Sequence, residues 1–270
     1  MLSILKGEFR KIFTSKSLIV CVSILGGMAF LNAFSTYLLY SGFGLLGDSA
    51  PEVIERPFRE ILLGSMTSNS FFILLSVFLA IWNLRDYTTG SIKNMIAKGC
   101  SRNSIYFAKY LVTLVVTFAY TLVNALVTVG FSAIFMKFTG GFTFEVFEFF
   151  MLDIFMVLTL ATVYFGFIML TQKLAPAIII NLMLGSVIQI ICVVIDLIVN
   201  SETMLFQTLH LETAITMTLG GSSLSSAILQ GIFNTPEIGA NFMLHMLIVC
   251  VIYIALFITV SYLVNRKKEY

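Results

Sequence analysis

A basic segment extends from Arg85 to Tyr110 and reads RDYTTGSIKNMIAKGCSRNSIYFAKY. It contains five of the sixteen basic residues of a chain that is 59% hydrophobic and 11% charged. Within it, Ile92, Met95 and Ile96 recur at i, i+3 and i+4, so a short helix would carry them on one apolar face. An apolar helix face on a soluble loop is typical of docking into a groove of a partner protein. A loop helix that rests on the membrane or on its own bundle is the alternative.

The residues around this apolar face predict two short helices separated by a glycine. Thr88 or Thr89 can cap the first helix, and Gly99 can end it in the left-handed conformation that glycine adopts without strain. Ser101 is a suitable N-cap for a second helix, which would continue into the next apolar run. The segment is therefore expected to be compact and rigidly bounded.

Two acidic residues, Asp153 and Asp196, lie inside apolar runs, each near the end that is predicted to be external. A carboxylate at the centre of a bilayer costs roughly 2.5–3.5 kcal/mol on insertion scales, and less toward the interface. Both acids could simply reach external water. They could instead face the exit of a pathway for cationic or amphipathic cargo. Asn124, Asn181 and Gln189 are interpreted as interhelical hydrogen-bond partners.

Several kinds of chemistry have no motif in this sequence. There is no GxxxxGK[ST] phosphate loop and no HExxH, so ATP hydrolysis and zinc proteolysis by those routes are not expected. The four cysteines occur in separate segments without a CxxC pair, so neither disulfides nor a metal site is predicted. GGSS at 220–223 with His245 is interpreted as a turn rather than a protease pair. His210 and His245 are both interpreted as solvated histidines near the outer face.

The elements that must carry these residues are long apolar helices. The mean hydropathy is +0.99, and runs of about 20 apolar residues match the roughly 30 Å hydrocarbon layer. A transmembrane β-barrel would show short alternating segments instead. The chain is therefore predicted to be an all-α polytopic membrane protein, one transmembrane domain over 1–270. The six predicted spans are Ser17–Tyr40, Met66–Leu84, Tyr110–Met136, Phe149–Leu170, Ala175–Val199 and Phe242–Val264.

The distribution of basic residues predicts the orientation. With both termini in the cytoplasm, thirteen Lys and Arg residues are internal, and only Arg56, Arg59 and Lys137 are external. Short cytoplasmic loops carry such an excess of positive charge in membrane proteins. The segment 85–109 is then cytoplasmic, and a multi-pass protein of the plasma membrane is expected. The net charge of +2 gives no reason to expect a nucleic-acid partner.

Two further segments flank the predicted spans. Residues 1–16 form an amphipathic helix for the membrane interface, either a topology anchor or an elbow that supports a moving bundle. Its apolar face comprises Leu2, Leu5, Phe9, Ile12 and Phe13. The external segment 200–241 is too apolar for a free loop and too short to cross the membrane twice. It is predicted to contain re-entrant or interfacial helices.

The basic segment resembles the coupling region of type-2 (ABC-2-like) ABC exporter permeases. In that family an acidic residue, Gly-Thr/Ser-x-Lys, Ser-Arg-x-x-(x)-Tyr and a lysine connect spans two and three. The matching residues here are Asp86, Gly90, Ser91, Lys93, Ser101, Arg102, Tyr106 and Lys109. Asp86 stands where glutamate is commoner, which keeps the charge but shortens the reach. The wording GSIKNMIAKGCSRNSIY is also similar to bacterial permeases that export antimicrobial or cytolytic peptides or protect against them.

The resemblance implies the permease subunit of an ATP-driven exporter, which is not itself an enzyme. A separate ABC ATPase subunit would bind ATP and magnesium, and the permease would form a homodimer, or a heterodimer with a related permease, in membrane lipid. Docking of the ATPase is assigned to Gly90, Ile92, Lys93, Met95, Ile96 and Arg102. Asp86 and Lys109 would couple this region to the spans. A partner-independent channel or secondary transporter is the alternative, although the nearly charge-free midplane disfavours it.

Overall fold

A computed structural model describes residues 2–45, 54–199, 205–219 and 241–267 of the chain. Helices dominate these residues. The first six are α1 (Leu2–Phe13), α2 (Lys16–Leu45), α3 (Phe58–Gly64), α4 (Asn69–Thr88), α5 (Ser91–Ala97) and α6 (Arg102–Phe135). The others are α7 (Phe144–Thr171), α8 (Leu174–Val199), α9 (Leu205–Leu209), α10 (Leu211–Met217) and α11 (Asn241–Lys267).

Six helical stretches in the described part of the chain are long and apolar enough to cross a membrane. They are Lys16–Leu38, Phe58–Thr88, Arg102–Phe135, Phe144–Thr171, Leu174–Asp196 and Phe242–Arg266. The prediction of an all-α polytopic membrane protein with six spans is therefore confirmed. The second span begins eight residues earlier than Met66, because α3 precedes α4 after a break at 65–68.

The helix α7 lies at the centre of the bundle. It is the most buried of the spans and contacts α4, α6, α8, α10 and α11. Met156, Val157 and Ile168 are fully buried on it. Most of the surface of α2, α8 and α11 is exposed and apolar, as expected for helices that face lipid or another subunit.

A small parallel sheet lies at one end of the bundle. Strand β1 (Glu55–Pro57) pairs with β2 (Lys137–Thr139), with Glu55 opposite Lys137. The sheet connects the segment before α3 to the end of α6. Residues 46–53, between α2 and this sheet, lie outside the described part of the chain.

The amphipathic helix α1 packs against the bundle. Ile12 is buried with Trp82 of α4 and Val112 of α6, and Leu5 and Phe9 pack on the same cluster. The predicted helix is therefore present, with its apolar face against protein at these positions. The anchor and elbow interpretations of this helix both stay predictions.

The short helices α9 and α10 fold back into the bundle. At the start of α9, the backbone N–H of Gln207 donates to Asp196 Oδ2 near the end of α8 (2.9 Å). The next helix lies deeper, because a Cβ built on Gly185 would be 2.7 Å from Glu212 Oε2. Gly185 is about 16 Å along α8 from its start, at 1.5 Å per residue. This geometry supports the re-entrant interpretation of this segment.

Candidate coupling site

The two ends of the basic segment meet in a buried ion pair. Asp86 lies in the last turn of α4 and Lys109 in the first third of α6, and Lys109 Nζ is 2.6 Å from Asp86 Oδ2. The lysine side chain is completely buried and the carboxylate nearly so. The structure thus brings together the two residues that were predicted to couple this region to the spans. Their coupling role stays a prediction.

Two residues of α1 complete a four-charge network. Lys11 Nζ is 2.9 Å from Glu8 Oε1 and 3.2 Å from Asp86 Oδ1, and Lys109 Nζ is 3.6 Å from Glu8 Oε2. Partial burial opposes the charge of Lys11, but the carboxylates of Glu8 and Asp86 outweigh it and raise the pKa of Lys11. The network contains two positive and two negative groups, which is the arrangement that buried charges require.

Sequence reasoning missed Glu8 and Lys11 as members of this site. A sequence signal was present, because Glu8 and Lys11 are spaced i, i+3 on a helix and can form a pair. The acceptor of Lys11 in α4, Asp86, could not be identified, since it is 75 residues further along the chain. The network therefore connects α1 to both ends of the segment that contains α5.

A second polar contact connects the same region to α11. Tyr106 Oη is 2.6 Å from Ser261 Oγ, and both side chains are buried. Deeper in the bundle, Asn83 Nδ2 donates to Thr113 Oγ1 (3.2 Å), so α4 and α6 are also connected one turn beyond the ion pair. These contacts make the base of α4, α6 and α11 one connected unit.

The short helix α5 is bounded by two glycines with positive φ. Gly90 (φ 68°) occupies the N-cap position of α5 and Gly99 (φ 85°) follows its end. The prediction for Gly99 is confirmed. The prediction that Thr88 or Thr89 caps α5 is wrong, because both hydroxyls donate to the backbone carbonyl of Arg85 in the preceding helix. Here α4 extends to Thr88, so neither threonine is available to α5.

The helix that follows α5 begins as predicted. Ser101 is the N-cap of α6, and its hydroxyl oxygen accepts from the backbone N–H of Ser104 (3.2 Å). Arg102, the first residue of α6, is exposed at this end of the bundle. The four residues 98–101 thus separate α5 from a 34-residue helix.

The apolar side chains of α5 are less exposed than the sequence suggested. Ile92 is only 3% exposed, so the expectation that it faces the cytosol with Met95 and Ile96 is wrong. The helix packs on α4, and Ile92 faces the protein. Met95 and Ile96 are half-buried, while Lys93 is exposed. The surface that α5 offers to a partner therefore consists of part of Met95 and Ile96 with the basic side chain of Lys93.

The two intramembrane acids do not face solvent in this structure. Asp153 is completely buried and its Oδ2 accepts a hydrogen bond from Thr218 Oγ1 (3.2 Å). Asp196 is 6% exposed and accepts from the backbone N–H of Gln207. The interpretation that both reach external water is wrong for this conformation, because α9 and α10 cover them. Each acid accepts a hydrogen bond from one end of the segment that covers it. A role of the two acids in a cargo pathway stays a prediction.

A third acid, Glu212, is packed between α7 and α8. Tyr164 Oη donates to Glu212 Oε1 (2.8 Å). Burial raises the pKa of Glu212, although the Tyr164 hydrogen bond acts in the opposite direction. The sequence indicated that Glu212 is external, and nothing in the sequence pattern indicated that it contacts Tyr164.

His210 caps α10 from a buried position. Its Nδ1 accepts from the backbone N–H of Thr213 (3.3 Å), and burial lowers the pKa of His210 to about 4. His245 is half-buried, with Nε2 3.1 Å from Thr208 Oγ1. The interpretation of His210 as a solvated surface residue is therefore wrong, while that of the half-buried His245 stays a prediction. The GGSS turn at 220–223 lies outside the described residues.

The polar residues predicted to connect helices differ in their surroundings. Asn124 Nδ2 donates to the backbone carbonyl of Ser65 (2.7 Å), at the break between α3 and α4, as predicted. Asn181 is buried on α8, and neither of its side-chain polar atoms has a partner among the described residues. We have no physical account of this buried amide.

The comparison with known families agrees with this architecture. Residues 4–189 match the family described as ABC-2 family transporter protein. The match begins in α1, includes the whole ion network and α5, and ends in α8. No curated protein matches the chain at a significant level. Because the matched region is well over half of the chain, this protein belongs to the ABC-2 family of transporter proteins.

Proposed function

We propose that this chain is the membrane permease subunit of an ATP-driven ABC exporter in a bacterial plasma membrane. Its cargo is an amphipathic peptide of the antimicrobial or cytolytic kind, or a similar hydrophobic compound. The family supports a transport role, and the sequence lacks a phosphate loop, so ATP and magnesium belong to a separate ATPase subunit. Both termini and α5 are cytoplasmic in this proposal.

The observation that carries the proposal is the ion network beneath α5. The Asp86–Lys109 pair joins the end of α4 to the start of α6. From α1, Lys11 contacts Asp86 and Glu8 contacts Lys109. A force on α5 therefore acts on three helices that are already connected. The two helices on either side of α5 are the second and third spans, so such a force would reach the membrane directly. This arrangement suits a subunit driven from outside by a partner.

Docking of the ATPase is assigned to the exposed part of this region. Met95 and Ile96 supply the apolar contact, and Gly90, Lys93 and Arg102 supply the boundary and the charge. Ile92 has a different role from that first expected. Because it is buried, it anchors α5 on its own bundle, so the ATPase does not contact it directly.

The permease is proposed to work as a dimer. The apolar exposed surfaces of α2, α8 and α11 are available for lipid and for a second permease, either identical or related. In a complex of two permeases and two ATPase subunits, each coupling region would contact one ATPase subunit.

Co-purification with a candidate ATPase from the same organism tests the proposal. Ile96→Asp places a carboxylate in the apolar contact, so we expect loss of the ATPase from the complex and loss of cargo resistance in cells. Asn94→Asp is the matched control, because it adds the same charge to an exposed position of the same helix. Wild-type binding and transport by Ile96→Asp would show that α5 is not the docking element.

A further variant separates docking from folding. Ile92→Asp is expected to lower the stability of the chain itself, since burial of such a side chain contributes about 1.5–3 kcal/mol.

The purified chain alone is expected to show no ATP hydrolysis. Robust hydrolysis by a preparation proven free of any ATPase subunit would contradict the exporter-subunit proposal.

A further inference from the structure

A cleft of about 500 Å³ lies between α2 and the rest of the bundle. The helix α2 forms one wall, and the break between α3 and α4 together with α6 forms the other. Leu25, Phe34 and Leu74 are among its apolar lining residues. The volume is within the range of small-molecule sites, about 300–1,000 Å³. We call this space the α2 cleft.

One buried amide gives the α2 cleft a hydrogen-bond acceptor. Asn124 lines the cleft and is 5% exposed, and its Nδ2 donates to the backbone carbonyl of Ser65. Because a carbonyl oxygen can only accept, the atom that contacts it must be the amide nitrogen. The remaining atom, Oδ1, has no donor among the described residues. An acceptor held in this way needs a donor from a bound molecule or from water.

Other polar side chains of the α2 cleft also have unused hydrogen-bonding capacity. Ser70, Thr128 and the side chain of Asn32 line it without a hydrogen-bond partner in the part of the chain that the structure describes. Several polar groups without a protein partner among the described residues therefore lie between the apolar walls of the α2 cleft.

These groups select a particular chemical class of ligand. Among the residues that the structure describes, no charged side chain lines the α2 cleft, so a charged group would enter without a counter-ion from them. The Asn124 acceptor requires an N–H or O–H donor, which the acyl chains and ester groups of a phospholipid do not have, and the charged headgroup of the lipid would enter without a counter-ion. A peptide backbone supplies an N–H and a carbonyl in every unit, and its apolar side chains suit the walls.

We propose that the α2 cleft binds an uncharged apolar segment of the cargo peptide, through a backbone N–H donated to Asn124 Oδ1. The proposal rests on the exporter function above and specifies where and how that cargo is recognised. The hydroxyls of Ser70 and Thr128 provide further hydrogen bonds to the peptide carbonyls.

Photolabelling of the purified full chain in lipid nanodiscs, without any ATPase, tests this site. The probe is a six-residue Leu/Ala peptide, acetylated and amidated, with one diazirine side chain. Its competitor is the same peptide without the diazirine, or an analogue in which the three central amide N–H groups are replaced by ester oxygens. Mass spectrometry locates the label. We expect labelled residues on α2, α4 and α6, and an ester analogue that competes about threefold to tenfold less well.

Two variants of α6 control for access and for general apolar adsorption. Thr128→Trp fills the α2 cleft and should abolish the label. Leu126→Trp, at a residue 72% exposed on the same helix, should leave it unchanged. Equal competition by the amide and ester peptides, or label outside the cleft, would overturn the proposal. Label that appears in detergent micelles but is lost in the lipid nanodiscs would assign the cleft to lipid and likewise overturn it. Neither negative result would alter the ATPase co-purification, so the two proposals fail separately.

Discussion

The residues that distinguish this permease most clearly are the four charges of the coupling site. Burying ions inside a protein costs several kcal/mol each, and only close pairing with good geometry compensates for it. Lys109 satisfies this condition, with Asp86 at 2.6 Å and Glu8 at 3.6 Å. Because the charges balance as a set, removal of one member leaves another buried and unpaired. The network is therefore sensitive to single substitutions.

Lys109→Met tests this sensitivity. We expect a loss of about 3–5 kcal/mol in stability, because Asp86 and Glu8 would share only the half-exposed Lys11. The measurement is thermal unfolding of the chain in detergent. Lys93→Met is the control at an exposed position and should change stability by less than about 0.5 kcal/mol.

A double variant extends this test. Asp86→Asn added to Lys109→Met should recover part of the lost stability, since it removes one of the two carboxylates that Lys109→Met leaves behind. If Lys109→Met unfolds at the wild-type temperature, the buried pair contributes nothing to the fold.

The second prediction at the residue scale concerns His210 and pH. Its pKa in the folded chain, about 4, is below the ordinary value of 6.5, so the neutral form is the one that the fold stabilises. The contribution is full above pH 6.5 and is lost as the pH falls toward 4. Protonated Nδ1 also cannot accept from the Thr213 N–H. We expect the unfolding temperature to fall over this range, for a loss on the order of 1–3 kcal/mol.

His210→Gln isolates this contribution from that of the other titrating groups. Glu212, whose pKa is raised, acts in the opposite sense, because its protonated form is favoured in the fold and stability decreases as the pH rises through that pKa. Since Glu212 is present in both proteins, the difference between them reports His210. The same pH dependence in wild type and His210→Gln would contradict the prediction.

At the scale of elements, α7 and α11 pack closely at Gly166. Gly166 allows it, because a Cβ at this position would lie 2.9 Å from Phe257 Cδ1 and 3.6 Å from Phe257 Cβ. Small residues at helix interfaces let backbones approach in membranes, where packing rather than the hydrophobic effect holds helices together. The centre of the bundle therefore depends on this glycine.

Gly166→Leu should separate α7 from α11 and lower stability by about 1–3 kcal/mol, the usual cost of overpacking. The measurement is again thermal unfolding in detergent. The matched control is Gly130→Leu, since Gly130 lies within α6 and no atom is within 4 Å of a Cβ built there. Equal effects of the two substitutions would show that the Phe257 contact is not a constraint.

At the scale of the whole molecule, the described elements are divided between two ends. The helices α1 and α5 and the ion network occupy one end, and the small sheet and the start of α7 occupy the other. The segment containing α9 and α10 extends inward from the second end as far as Tyr164 and Gly185. The contacts between elements connect α5 to this segment through α4, which packs on both α7 and α8, and these two helices contact α10 and α9, respectively.

Cysteine labelling tests the orientation of these ends. In a chain whose native cysteines are replaced, Cys at Glu55 and Lys137 should react with an impermeant thiol reagent from outside the cell. Cys at Lys98 should react only after the membrane is opened. Cys at Glu212 should be slow from either side, because Tyr164 and α8 cover this position. External labelling at Lys98 would reverse the orientation.

The amino-acid sequence by itself determined the features that depend on neighbouring residues. Six apolar runs, the amphipathic α1, the left-handed Gly99 and the Ser101 cap were all predictable, because hydropathy, periodicity and capping act within a few residues. The starting residue of the second span was wrong by eight residues. The break between α3 and α4 that causes this error is supported by Asn124, far away in the sequence.

Only the tertiary structure decided which residues meet. The Lys11–Asp86 contact spans 75 residues, and the burial of Ile92 depends on how α5 packs on α4. His210 and Glu212 occur in a segment that was predicted to be external, yet they lie among the spans, because Asp196, Asp153 and Tyr164 provide hydrogen-bond partners for this segment. Such contacts depend on the relative positions of helices, and no local pattern specifies them.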